Sequence, residues 1–309
     1  MRALRNAVSR VIGVSWVMLQ IAAWFGYMRR GAWVVHRDDH RLMAKQAVGY
    51  LLREGKISGN SGLGASRETV ERSCGLLDVM ETEIGGRVPG KLKWECSHMY
   101  DPIAGHGAGD GHLVNAFEEF SDFWDRSLIH FRIGSRAKAY RFLGYCCHLL
   151  QDMAVPSHTF CVPHGLRTRT ADNLELLSRS RRFYLREPVG PPYPGDDDAH
   201  LDLLVAMGTE SRGREAYDPD EKNEISGVLE KYYVTPEWTD DGWYGRYIGE
   251  FHYPYHRLLP STPHIRYVDM ITLRNYLMER AASRTAQLIL HFVSITGAGD
   301  DGAGNEVEG

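Results

Sequence analysis

Between Cys147 and His158 the chain reads CHLLQDMAVPSH, an apolar run that carries His148, Asp152 and His158 at intervals of four and six. Polar groups inside an apolar run cost free energy unless something satisfies them, and a metal ion is one such partner. On a helix, residues four apart share a face, so His148 and Asp152 can approach one ion together or two neighbouring ions. Pro156 cannot sit inside a helix, lacking the N–H and clashing with the preceding turn. His158 follows on the turn that results. Nitrogen and oxygen donors placed in this way suit zinc, which accepts both. Taken alone, a His-x3-Asp pair is more often a satisfied core contact than a ligand pair, so the rest of the chain has to supply the context.

The elements that would position these groups are helical. HRLMAKQAVGYLL, from His40 to Leu52, places its apolar residues near helical spacing with Asp38 and Asp39 just upstream as N-terminal anions. A second helical pattern runs from about Glu68 to Glu83, beyond a Gly- and Ser-rich loop over 56–67. Aromatic and apolar residues recur at three and four from Leu113 to Phe131 and again from Ser135 to Val155, and further helices are expected over Asp172 to Tyr184 and Tyr267 to Ile295. The segment from Val234 to Pro263 is dense in Tyr, Trp, His and Pro and fits no single pattern. Alternating strand runs are scarce and no internal repeat is visible, so the expected fold class is all-α, several helices in a single domain.

Composition sets outer bounds. A chain of 309 residues can bury a large core, and one main domain over 33–296 is expected, followed by a polar, Gly-rich tail over 297–309. A formal net charge of -4 gives no footprint for duplex nucleic acid. Five cysteines form neither a CxxC framework nor an even set, so no disulfide or thiolate-zinc scheme is strong, whereas fourteen histidines are many for this length. Arg2, Arg5 and Arg10 precede the uncharged stretch Val11 to Met28, the shape of a secretory signal or a signal anchor over residues 1–32, with a buried first helix as the alternative. The expected location is secreted or extracytoplasmic, either free or anchored through residues 11–28. Cleavage after Ala32 would make Trp33 the first residue, although Arg29 and Arg30 stand where small residues normally precede such a site.

Three motifs resemble the zinc-dependent phospholipase C family of bacteria, whose relatives include the single-strand-specific zinc nucleases. His148, Asp152 and His158 match the family's His-x3-Asp-x5-His. Ser97 to Pro102 reads SHMYDP, close to the family's Ser-His-Phe-Tyr-Asp-Pro, fifty residues upstream of His148. His40 opens the first long helix after a tryptophan. The order is the family's order, and the resemblance covers roughly Trp33 to Glu175.

The resemblance implies two to three zinc ions as cofactors. His98, His148 and Asp152 would hold one, with Asp152 bridging to a second that also takes His40 and the backbone amine and carbonyl of Trp33. A third would take His158 with residues downstream. Here the chain departs from the family's His-x3-Glu: Glu175 is suitably placed but Ala171 stands where the histidine belongs, leaving His164, then Asp172, as replacements. The family's aspartate about fourteen residues before the SHMYDP histidine is also missing; Glu83 at fifteen is the choice for a carboxylate that binds metal or orients the attacking water, with Glu81 at seventeen behind it. His36, four residues before His40, could compete with it.

The implied activity is zinc-dependent phosphodiester hydrolysis by a zinc-activated water, of phospholipase C type, with a phospholipid or another phosphodiester as substrate and a membrane surface as a partner. The aromatic region around Trp238, Trp243 and Tyr244 suits such a surface. Two alternatives differ in class: a single-strand-specific zinc nuclease on the same scaffold, and a non-catalytic metal-binding relative, motivated by Ala171 and the Glu-for-Asp exchange.

Overall fold

A computed structural model describes residues 39–77, 95–109, 114–162, 185, 198–213, 229, 233–239, 242–247 and 267–299. Helix α1 spans 39–53 and is followed by the short helix α2, Gly62–Ala65, and by α3, Arg67–Cys74. A single 3-10 turn covers Glu95–His98. Then come α4 (Ala116–Arg132), α5 (Arg136–Asp152), the one-turn α6 (Pro156–Thr159), α7 (Ala199–Ser211), strands β1 (Tyr233–Thr239) and β2 (Gly242–Tyr247), and α8 (Tyr267–Thr296).

The start of α4 is fixed by its sequence. Asn115 accepts a hydrogen bond from the Glu118 backbone at 3.0 Å, and the Glu118 carboxylate accepts from the Asn115 backbone at 3.4 Å, a reciprocal cap that satisfies two of the end's donors. Glu118 and Glu119 in the first turn and His130 and Arg132 in the last complement the helix dipole. Phe120, Phe123, Trp124 and Phe131 fall on the buried face, packed against α5. Ser127 Oγ ties the two helices by donating to the Ala139 carbonyl at 3.0 Å.

Helix α5 is the centre of the molecule, since every residue from Leu143 to Asp152 is buried. It meets α3, α4, α7 and α8. The approach of α3 is close because residue 144 is glycine: a Cβ there would lie 2.7 Å from both Ser73 Cβ and the Val70 carbonyl. Gly208 plays the same part in α7, where a Cβ would sit 3.0 Å from Pro102. Helix α5 stops at Asp152, and Pro156 opens α6 as its first residue, the position where a missing N–H costs nothing.

Two elements were not legible in the sequence. The unassigned aromatic segment contains the antiparallel hairpin β1–β2, the single sheet among the described residues. The chain after the Pro- and Asp-rich loop contains α7, whose Leu203, Leu204 and Met207 are fully buried. The second expected helix is observed from Arg67 to Cys74, ending at Gly75; its continuation to Glu83 and the expected helix over 172–184 lie outside the described residues. Among the described residues no helix is long and apolar enough to cross a membrane, and residues 1–38 are not among them.

Candidate metal centre

Four elements deliver five side chains to one place. Helix α1 supplies His40 at its start, the 3-10 turn His98, α5 His148 and Asp152, and α6 His158; all five are buried. Asp152 is the hub. His98 Nδ1 lies 2.6 Å and His148 Nε2 3.2 Å from its Oδ2, and His40 Nε2 lies 3.3 Å from its Oδ1. His148 Nε2 and His98 Nδ1 are 3.3 Å apart.

The outer nitrogens of three imidazoles are already committed. His148 Nδ1 donates to the Cys74 carbonyl at 2.7 Å, His158 Nδ1 to the His98 carbonyl at 2.9 Å, and His40 Nδ1 to Gln151 Oε1 at 2.9 Å. Gln151 is oriented by its own donation from Nε2 to Thr285 Oγ1 at 3.2 Å. With the proton held on Nδ1, a neutral imidazole presents a bare lone pair at Nε2. For His40 and His148 that lone pair faces a carboxylate oxygen, an unfavourable contact unless each ring takes a second proton or a cation stands between. Fixing the tautomer through an outer carbonyl or amide is the usual support of a metal-ligating histidine.

The distances also discriminate. Donors around a tetrahedral zinc with bonds of ~2.05 Å are separated by about 3.3 Å. The 3.2 and 3.3 Å separations match that edge, while the 2.6 Å contact of His98 is a short, charge-assisted hydrogen bond whose proton a cation would displace. Two groups of three donors can be drawn with all ligand atoms within 4.8 Å of one another: His40, His148 and Asp152, and His98, Asp152 and His158. The donor set of imidazoles and a carboxylate therefore fits zinc, with Asp152 shared. Burial pushes the Asp152 carboxyl up, but the facing imidazoles of His148, His98 and His158 outweigh it and hold the group well below the usual carboxylate range.

His158 joins this cluster because two backbones are zipped together: Tyr100 N donates to the His158 carbonyl at 3.2 Å, alongside the His158 bond to His98. Its expected companions in a separate third site, His164 and Glu175, lie outside the described residues, as do Trp33, Glu83, Glu81, His36, Ala171 and Asp172.

The structure adds residues that the sequence reading did not single out. Cys74 supplies the carbonyl for His148, and its thiol lies 3.4 Å from Gln151 Oε1. Asp101 of the SHMYDP motif is turned away from the cluster. Its Oδ1 accepts from the Ile103 and Ala104 backbones and pairs at 3.4 Å with Arg212, a buried ion pair. Arg212 also donates to the Thr159 carbonyl at 2.7 Å and stacks over the Phe160 ring, 4.0 Å from its centroid. The motif's aspartate thus holds the loop of His98 against the turn of His158.

A solvent-open cleft reaches His40 and Gln151. Met43, Ala154, Val155, Leu277 and Met278 give it apolar walls, and Asp39 and Arg274 contribute an ion pair at 3.7 Å.

The described residues thus form an all-α bundle around a buried His/Asp cluster, with the helical fold expected from the motifs. Among solved structures the chain is similar to the alpha toxin from Clostridium absonum, with a TM-score of 0.52 at 12% identity; the match covers 87% of this chain and 66% of the toxin chain. At that identity the likeness shows the fold. Neither the protein-family models nor the curated proteins compared give a match.

Proposed function

We propose that the protein is a zinc-dependent phosphodiester hydrolase acting on phospholipids in the manner of phospholipase C, exported from the cell, with residues 33–296 as its catalytic domain. The observation that carries this reading is the set of imidazole lone pairs turned onto one buried carboxylate, with their outer nitrogens fixed by Cys74, Gln151 and the His98 carbonyl. His40, His98, His148, Asp152 and His158 would hold the metal, Asp152 shared between two ions. Zinc supplies a Lewis acid for phosphoryl oxygens and an acidified water at neutral pH.

The chain's own groups do the rest. The Nδ1 donations keep the rings in register, so the Nε2 lone pairs of His40 and His148 would hold a cation in a fixed place as charge develops on the phosphoryl group. The apolar walls of the cleft beside the polar cluster suit an amphiphile. Glu83 is proposed to orient the attacking water, and Trp33, His164 and Glu175 to complete the metal shells.

Phosphatidylcholine incubated with the purified chain, with and without chelator, tests the proposal. Diacylglycerol formed only without chelator is expected. Absence of product, or product indifferent to chelation, overturns it, and degradation of single-stranded DNA with untouched lipid selects the nuclease instead.

A further inference from the structure

His40 differs from His148 and His158 in the partner of its outer nitrogen. Theirs are backbone carbonyls, which can only accept, whereas His40 Nδ1 meets the side-chain amide of Gln151, which accepts at one atom and donates from the other. Something has to choose between the two. Gln151 lies on α5 directly before Asp152, and its far side meets Thr285 of α8.

The choice is made at Thr285. Its hydroxyl donates to the Ala281 carbonyl, one turn back on α8, at 2.7 Å. With its one hydrogen used there, Thr285 Oγ1 can only accept from the Gln151 side chain 3.2 Å away, so the atom facing it is the amide nitrogen. The amide oxygen then faces His40 Nδ1 at 2.9 Å and the Cys74 thiol at 3.4 Å. An oxygen only accepts, so Nδ1 carries the proton and Nε2 keeps its lone pair.

Shape alone does not decide this. Half a turn of the amide exchanges two atoms of nearly equal size, and it would let His40 accept at Nδ1 and donate from Nε2 to Asp152 Oδ1, 3.3 Å away. For a centre without metal that would be the better contact. It is opposed at the other end, where Gln151 Oε1 would face the Thr285 oxygen with no hydrogen between them unless the hydroxyl left Ala281. Gln151, Thr285 and Cys74 are fully buried, so water does not stand in, and a buried polar atom left without a partner is costly. We infer that Thr285 and Gln151 are positioning residues that fix the tautomer of His40 for a cation, which makes α8 part of the support of the metal centre. The inference rests on the metal reading above. Helix α8 also carries Leu277 and Met278, which wall the cleft beside His40, so one helix sets both the cleft and the proton of the ring.

The test replaces Thr285 in the full chain by two residues with opposite defects. Thr285→Val keeps the shape and loses the hydroxyl, while Thr285→Ser keeps the hydroxyl and loses a methyl group. Zinc affinity, measured in competition with a chelator, is expected to fall about tenfold in the valine variant and to stay near the parent's in the serine variant. Nitrogen-15 spectra of the metal-free chains, taken where the ring holds one proton and assigned with His40→Gln, should show Nδ1–H in the parent and in Thr285→Ser and a shift towards Nε2–H in Thr285→Val. A packing role alone predicts the reverse order, with the valine variant closer to the parent. That order, an unchanged zinc affinity or tautomer in Thr285→Val, or a parent protonated at Nε2 would each overturn the proposal. A parent that takes up no zinc would overturn both it and the metal reading. Zinc uptake with the expected tautomers but no diacylglycerol from phosphatidylcholine would leave the positioning role standing and remove the hydrolase.

Discussion

His148 and Cys74 are joined by a 2.7 Å bond from the imidazole Nδ1 to the backbone carbonyl, and the bond exists because α3 can lie almost on top of α5 at Gly144. The helix contact and the orientation of a candidate ligand are thus one feature. Gly144→Ala would place a methyl 2.7 Å from Ser73 Cβ and the Val70 carbonyl, both part of packed helices. We expect a loss of about 1–3 kcal/mol from overpacking. Displacing the Cys74 carbonyl should also weaken metal uptake beyond the loss of stability. Denaturant melts with and without chelator check both: a variant that melts like the parent under chelator and also keeps the parent's metal content would contradict the argument.

Asp152 should dominate the metal-free protein as well. Its carboxyl is held below the usual range by the surrounding imidazoles, against the upward push of burial. A depressed acid contributes stability that is present above its unfolded pKa of ~3.9 and is lost as pH falls through its folded value. Asp152→Asn should therefore be less stable than the parent in chelator at pH 5 to 7, with the gap closing as pH falls below about 4. Melts across that range read the gap directly. In the presence of zinc the same variant should bind no metal, because an amide offers one neutral oxygen where the centre uses two anionic ones.

The juxtaposition of the candidate ligands was legible where it was local. His148, Asp152 and His158 follow from helix periodicity and a proline, and the structure places them within one cluster. His40 and His98 were recognisable from their motifs and the order of these, since no helical spacing links them to His148 and Asp152. The supporting atoms were not readable. A backbone carbonyl at Cys74 has no sequence signature, and Thr285 reaches Gln151 across 134 positions. Gln151 could have been suspected, because a glutamine in an apolar run needs partners as a histidine does. The hairpin escaped because Pro236 and the bulge between Val234 and Glu237 break its alternation. Helix α7 escaped because Leu201, Leu203, Leu204, Val205 and Met207 crowd its apolar residues and blur the period.

Arg212 and Asp101 form a buried pair that also bridges the loops of two candidate ligands, His98 and His158. Arg212→Met keeps an apolar contact over Phe160 but removes the guanidinium, and so leaves the Asp101 carboxylate buried without its charge partner. Such a removal costs roughly 3–5 kcal/mol, much of it the uncompensated charge. The double variant Asp101→Asn with Arg212→Met should recover part of that loss, so the two substitutions should be non-additive by more than about 0.5 kcal/mol. Chemical denaturation of the four members of the cycle measures this. Simple additivity would show that Arg212 acts through Phe160 and Thr159 and not through Asp101.

Cys146 and Cys147 lie in the wall of the core beside the centre, both free and buried. Burial pushes the Cys147 thiol up to about 12 and the Cys146 thiol well above its ordinary value. Thiolate is the reactive form, so at pH 8 both should resist iodoacetamide while the fold holds. Mass spectrometry after a short exposure should find them unmodified in the native protein and modified in denaturant. If the centre's metal stabilises α5, chelation should hasten their labelling, since a ligand bound only by the folded state lowers the population of open forms. Fast labelling of Cys147 in the native, metal-loaded chain would mean that α5 is not packed as described, and the position of the adjacent His148 would fall with it.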